Sequence, residues 1–133
     1  MTRMRVDRLC TDVGVVRRAD GATLVGRCHL GTGWRSRLVG LLGTTDLASD
    51  EGVWLEPCSS VHTFGMRMSI ACVFLDADGK VLRIVQRLPP WRTASMRGAR
   101  VALETRPDAV GDLQEGDVVV WDRGDLRRPS HVE

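Results

Sequence analysis

The sequence predicts a mainly β fold: a compact antiparallel sandwich or partly open barrel with one or two short helices. Three observations predict it. Apolar residues come in short runs of strand length, rich in valine. Single glycines, prolines and Asp-Gly pairs punctuate those runs. Only one stretch carries extended helical spacing, too little to supply the repeated crossovers of a doubly wound parallel sheet. With 133 residues, 43% hydrophobic and 27% charged, the chain has the size and composition of one ordinary globular domain.

Residues 13–17 and 24–30 flank Asp20-Gly21 and form an opening hairpin, because Asp-Gly supplies the positive φ of a tight turn. Trp34, Leu38, Leu41 and Leu42 fall at i, i+4, i+7 and i+8, one helical stripe with Thr32 as N-cap and Gly43 as stop. Asp46, Ser49, Asp50 and Glu51 mark a polar loop, and residues 52–56 begin a strand. Residues 70–75 and 81–87, joined by Asp76-Ala77-Asp78-Gly79, form a second antiparallel hairpin. Pro89-Pro90 ends it by removing two backbone donors, which leaves Trp91 and Arg92 in a loop. Residues 100–104 resume a strand, and residues 107–113 form a short helix with Pro107 in its first turn. A valine-rich strand over 117–121 closes the domain, so residues 1–122 make one unit and 123–133 a polar, mobile tail.

Nineteen basic residues against 17 acidic ones leave a formal charge of +2, too slight to attract nucleic acid or an anionic membrane by itself. The acidic residues are interleaved with the arginines and no aromatic RNA-binding signature occurs, so a nucleic-acid partner is not expected. No run approaches the ~18 apolar residues of a membrane span. The first residues alternate charged and apolar side chains without the apolar core of a secretory signal, so a cytoplasmic protein is expected. Cys10, Cys28, Cys58 and Cys72 lack the CxxC pairs of a structural zinc or redox centre and are expected as buried free thiols. With no tyrosine and two phenylalanines, Trp34, Trp54, Trp91 and Trp121 are the expected core or core-edge anchors. Gly40 and Gly43 stand near Arg37 without a GxGxxG or Walker pattern, and serve helix packing and termination. No cofactor is expected.

The most distinctive segment runs Pro57-Cys58-Ser59-Ser60-Val61-His62-Thr63-Phe64-Gly65-Met66-Arg67-Met68-Ser69-Ile70-Ala71-Cys72-Val73-Phe74-Leu75-Asp76. Together with Arg37-Leu38-Val39-Gly40-Leu41-Leu42-Gly43, Pro90-Trp91-Arg92 and Gly116-Asp117, it resembles the bacterial and archaeal domain of unknown function 192 family over residues 15–121. The resemblance implies a mainly β domain with a helix near its start, and the family name itself records no assigned activity. Two departures stand out. That family usually has a proline before, and an acidic residue after, the isoleucine preceding Phe-Leu-Asp, where this chain has Ser69-Ile70-Ala71. Only a spatial substitute such as Asp76 or Glu104 could restore the carboxylate. After Glu104, relatives tend toward an apolar residue and a glycine, whereas this chain reads Thr105-Arg106-Pro107-Asp108.

If residues 58–68 are extended, Cys58, Ser60, His62, Phe64, Met66 and Met68 share one face, and Ser59, Val61, Thr63, Gly65 and Arg67 the other. Cys58, His62, Met66 and Met68 are soft ligands of the kind copper(I) prefers, although alternate strand residues ~6.6 Å apart cannot all surround one ion without a bend. The same face suits packing, with Phe64, Met66 and Met68 in the core, Met66 filling a gap, and Thr63 and Gly65 fixing a bulge. Cys58 with His62 has the elements of a thiol nucleophile and base, but no third group orients the ring and no glycine-rich elbow surrounds Ser60, so no catalytic residue is assigned. Trp91 beside Arg92 either covers the barrel end or offers a rigid aromatic and a cation to a ligand. Arg67, Arg92 and Arg97 would hold an anion if they converge. His29 and His131 are incidental. The expected function is a non-catalytic binding module for a small ligand or a protein partner, with His62, Met66, Trp91 and Arg92 as candidate contacts; soft-metal binding and a Cys/His-dependent enzyme are the alternatives.

Overall fold

A computed structural model describes residues 12–31, 47 and 50–122 of the chain. Among the described residues the strands are β1 (Asp12–Arg18), β2 (Thr23–Gly31), β3 (Glu51–Leu55), β4 (Ser60–His62), β5 (Ile70–Leu75), β6 (Val81–Leu88), β7 (Thr93–Ser95), β8 (Val101–Thr105) and β9 (Val119–Asp122). The two expected hairpins are present. Gly21 turns between β1 and β2 at φ 91°. Between β5 and β6, Asp76 Oδ1 accepts from Asp78 N at 2.8 Å and Lys80 N at 3.0 Å.

Seven strands form one sheet in the order β6-β5-β8-β3-β2-β1-β9, while β4 and β7 pair separately. One neighbouring pair departs from the antiparallel expectation: β2 and β3 run parallel, from Arg27 opposite Glu51 to Gly31 opposite Leu55. Parallel neighbours need a crossover of about a dozen residues or more, and residues 32–50 supply it. The helix expected over residues 34–42, and the tail 123–133, lie outside the described residues. Residues 107–113 are turns and not the helix expected from Pro107: Ala109 N bonds Arg106 O, Leu113 N bonds Val110 O, and Gly111 between them has φ 57°. Two separate turns satisfy the backbone there, and the left-handed glycine prevents their fusion into a helix.

The sheet carries apolar residues on both faces. Val53, Leu55, Ile70, Cys72, Phe74 and Ala102 pack on one side with Val61, Met66 and Ala94, the last three from the small-sheet region. Val16, Val25, Trp54, Val73, Leu75, Leu103 and Val119 pack on the other with Val110 and Leu113 of the turns. Curling brings the edge strands together at one end, where Val81 N donates to Asp117 O at 2.7 Å and Val119 N to Gly79 O at 2.9 Å. Past the Lys80–Val118 bridge no ladder joins β6 to β9 among the described residues, so the sheet is not closed into a barrel. No helix among the described residues is long and apolar enough to cross a membrane.

Candidate functional site

Strand alternation holds from Ser60 to Phe64 and then fails. Val61 and Thr63 are buried, whereas Ser60, His62 and Phe64 are exposed. Gly65, at φ 80°, reverses the chain, Met66 N bonds back to Thr63 O at 3.1 Å, and Met66 drops into the core cluster that holds Val61, Ile70 and Leu88. The extended reading of residues 58–68 is therefore corrected: a left-handed glycine breaks the period of two. Cys58 and Met68 are half-buried against the same core, and Cys58 Sγ donates to Ser60 O at 3.2 Å. His62 stays outside. The expected soft-ligand face is thus divided between interior and surface, and no group of three His, Cys, Asp or Glu side chains gathers as a metal site would need among the described residues.

The turn assembles an aromatic stack. His62 and Phe64 have ring centroids 5.0 Å apart with planes at 28°. Phe64 and Trp91 follow at 5.9 Å and 26°. Both outer members of this second pair face water, with Phe64 44% and Trp91 64% exposed. Two of the four expected tryptophan anchors behave as anchors: Trp54 is buried, and half-buried Trp121 donates Nε1–H to Cys28 O at 3.1 Å. Trp34 lies outside the described residues, and Trp91 is a surface residue. His62 Nδ1 accepts from Phe64 N at 3.2 Å, which makes Nε2 the donor nitrogen of the neutral imidazole. That bond turns the ring toward the stack, and Cys58 is not its partner. Phe64, expected in the core, is the site residue missed in the sequence. The signal available for it was Gly65, which marks a turn just after it.

Thr63 builds the stack from below. It is fully buried, and its N donates to Arg92 O at 2.8 Å while its carbonyl accepts from Trp91 N at 3.0 Å. Its Oγ1 donates to Pro89 O at 2.6 Å and accepts from Arg92 N at 2.9 Å. One side chain thus clamps the 63–66 turn to the 89–92 loop. Trp91 has φ 64°, a left-handed conformation that costs a bulky residue about 1–3 kcal/mol and persists only where its surroundings over-determine it. Thr63→Val keeps the branched shape and leaves Pro89 O and Arg92 N without this partner. A loss of about 2 kcal/mol in urea unfolding is expected; an unchanged midpoint would show that the clamp contributes nothing.

Arg67 follows the 63–66 turn, and Arg92 lies in the 89–92 loop, where its guanidinium donates to Trp91 O at 3.2 Å. Arg97 lies beyond Ser95, past the far end of β7 from Trp91. Cys58 lines an open groove of about 410 Å³ with Pro57, Ser59, Ser60, Ala99 and Arg100.

A second titratable feature lies inside the sheet. His29, Val53, Glu104 and Cys72 stand directly opposite one another across β2, β3, β8 and β5, so their side chains share one face. Glu104 is 5% exposed, and burial pushes its carboxyl pKa up to about 7. Burial, then the nearby Glu104, pushes the Cys72 thiol well above its ordinary range. Glu104 does not replace the carboxylate missing at position 71: Ala71 stands opposite Thr105 and packs on the other face of the sheet. Asp76 is committed to its turn.

No curated protein matches this chain. Its fold is shared with two crystal structures. A "putative transcription regulator" from Sinorhizobium meliloti 1021 superposes with a TM-score of 0.75 at 18% identity, covering 84% of this chain and 95% of that one. A protein of unknown function from Novosphingobium aromaticivorans DSM 12444 superposes with a TM-score of 0.70 at 21% identity, covering 82% and 84%. The sequence pattern of the DUF192 family, described as Uncharacterized ACR, matches residues 15–121, and the chain belongs to that family.

Proposed function

We propose that the protein is a non-catalytic recognition module. Its contact surface is the His62–Phe64–Trp91 stack with Arg92 beside it, and its ligand is a small molecule or a protein segment that presents a flat ring. Met66 supports the turn from inside. Trp91 carries this reading: the residue is 64% exposed while its backbone is held at φ 64° by contacts to buried Thr63. An indole placed for packing would be covered, and a loop free of other demands would put glycine at that φ. A rigidly presented tryptophan offers contact area at little cost in conformational entropy on binding.

Trp91→Gly separates recognition from stability. Glycine adopts φ 64° without strain, so the variant is expected to unfold at or up to about 1 kcal/mol above the wild type while losing the ring. A thermal-shift screen of ring-bearing small molecules and short peptides on both proteins should yield compounds that stabilise the wild type alone. Hits that shift both proteins equally, or a Trp91→Gly protein that fails to fold, would assign Trp91 a structural role instead.

A further inference from the structure

We infer that the stack takes a flat ring joined to a phosphate, the chemistry of a nucleotide; this rests on the recognition surface proposed above. Phe64 is the one ring stacked on Trp91 among the described residues, and Trp91 is 64% exposed. A planar base adds to such a series because every base has a π-face, and sequence-tolerant stacking of this kind is how proteins hold unpaired bases.

The polar groups around the stack select the charge. Ser60 stands opposite Ser95 and His62 opposite Thr93, so these four exposed side chains share the outer face of the small sheet, while Val61 and Ala94 face the core. They offer hydroxyls and an imidazole N–H. Exposed Arg67 follows the 63–66 turn, exposed Arg92 lies in the 89–92 loop, and exposed Arg87 precedes that loop. None of the three pairs with a carboxylate among the described residues, whereas Arg18, Arg27, Arg100 and Arg106 all do. Residues 57–69 and 86–97, which carry the stack and the small sheet, contain Arg67, Arg87, Arg92 and Arg97 and no Asp or Glu. The acidic residues interleaved along the chain as a whole are absent from these two segments. Gln86 is the only side-chain amide there, and the chain has no asparagine. Neutral sugars are gripped largely through carboxylate and amide side chains, and beyond Gln86 this surface has only hydroxyls to accept with. Guanidinium groups match phosphate instead, by paired N–H donors and by charge.

Calorimetric titration at low salt of adenosine 5′-monophosphate, adenosine, ribose 5-phosphate and a ten-residue single-stranded thymidine oligonucleotide tests the assignment. The monophosphate is expected to bind the wild type, with adenosine and ribose 5-phosphate each weaker by roughly tenfold or more. Trp91→Gly should abolish binding of the monophosphate, adenosine and the oligonucleotide, and leave the weak binding of ribose 5-phosphate unchanged. Arg67→Ala with Arg92→Ala should weaken the monophosphate about tenfold and leave adenosine unchanged. Tighter, salt-sensitive binding of the oligonucleotide identifies a single strand as the source of the ring and phosphate; equal affinities identify the free nucleotide. Absence of Trp91-dependent binding by the monophosphate and the oligonucleotide overturns the assignment, and so does Trp91-dependent binding of an oligogalacturonate in their place. The ligand screen separates the two failures: Trp91-dependent hits lacking phosphate leave the recognition surface standing, and no Trp91-dependent hit removes both.

Discussion

Glu104→Gln is expected to flatten a fall in stability that the wild-type protein shows between about pH 4.5 and pH 7. The carboxyl has an ordinary pKa of 4.5, and burial raises it to about 7 in the folded protein. Across that interval the unfolded chain releases the proton while the folded protein keeps it. The folded state binds more protons, so stability decreases as pH rises, by about 3 kcal/mol in all, and levels off above the folded pKa. Below pH 4.5 both states are protonated and the contribution is complete. The Cys72 thiol opposite, itself pushed well above its usual range, stays neutral throughout. Glutamine has a similar shape and no titration, so the variant should match the wild type near pH 4.5 and exceed it at pH 8. Urea unfolding of both proteins across this range checks the prediction, because other groups contribute equally and cancel in the difference. Parallel curves would show that the carboxyl is solvated.

Gly79→Ala is expected to destabilise the protein by about 3 kcal/mol. Gly79 has φ 85°, and a Cβ built there overlaps Val119 O. The same glycine accepts a hydrogen bond from Val119 N at 2.9 Å and adjoins the Lys80–Val118 bridge. An added methyl must therefore push apart the place where β6 and β9 meet. Gly98→Ala is the control, since Gly98 has φ 87° with nothing within 4 Å of its Cβ position. It pays the backbone strain alone. The gap between the two variants in urea midpoint measures the contact, and faster amide exchange at Val81 and Val119 should accompany it. Equal losses would mean that the seam between the edges contributes little.

Local signals made much of the fold legible. Asp20-Gly21 and the Asp76–Gly79 turn mark both hairpins, short apolar runs mark β3 and β8, and a valine run marks β9, each within a residue or two. The parallel pairing of β2 with β3 was not legible, because nothing in either strand specifies its neighbour's direction. The site was legible in part. Pro89-Pro90 points to an exposed Trp91, and His62 and Arg92 do lie on the surface beside it. Phe64 and Met66, expected on one face, part company: Met66 fills the core as its packing reading has it, whereas Phe64 comes to the surface, because the backbone turns at Gly65 and the period of two stops there. Which rings meet depends on Thr63 reaching across to Pro89 and Arg92, a contact between residues more than 25 positions apart.

β1 takes its outer partner from the opposite end of the fold's sequence, with Val16 opposite Trp121. During translation the first hairpin leaves the ribosome roughly a hundred residues before that partner exists. Its outer row of amides and carbonyls must wait uncommitted for all that time, and a message truncated before Trp121 would release a product whose open flank can recruit other chains.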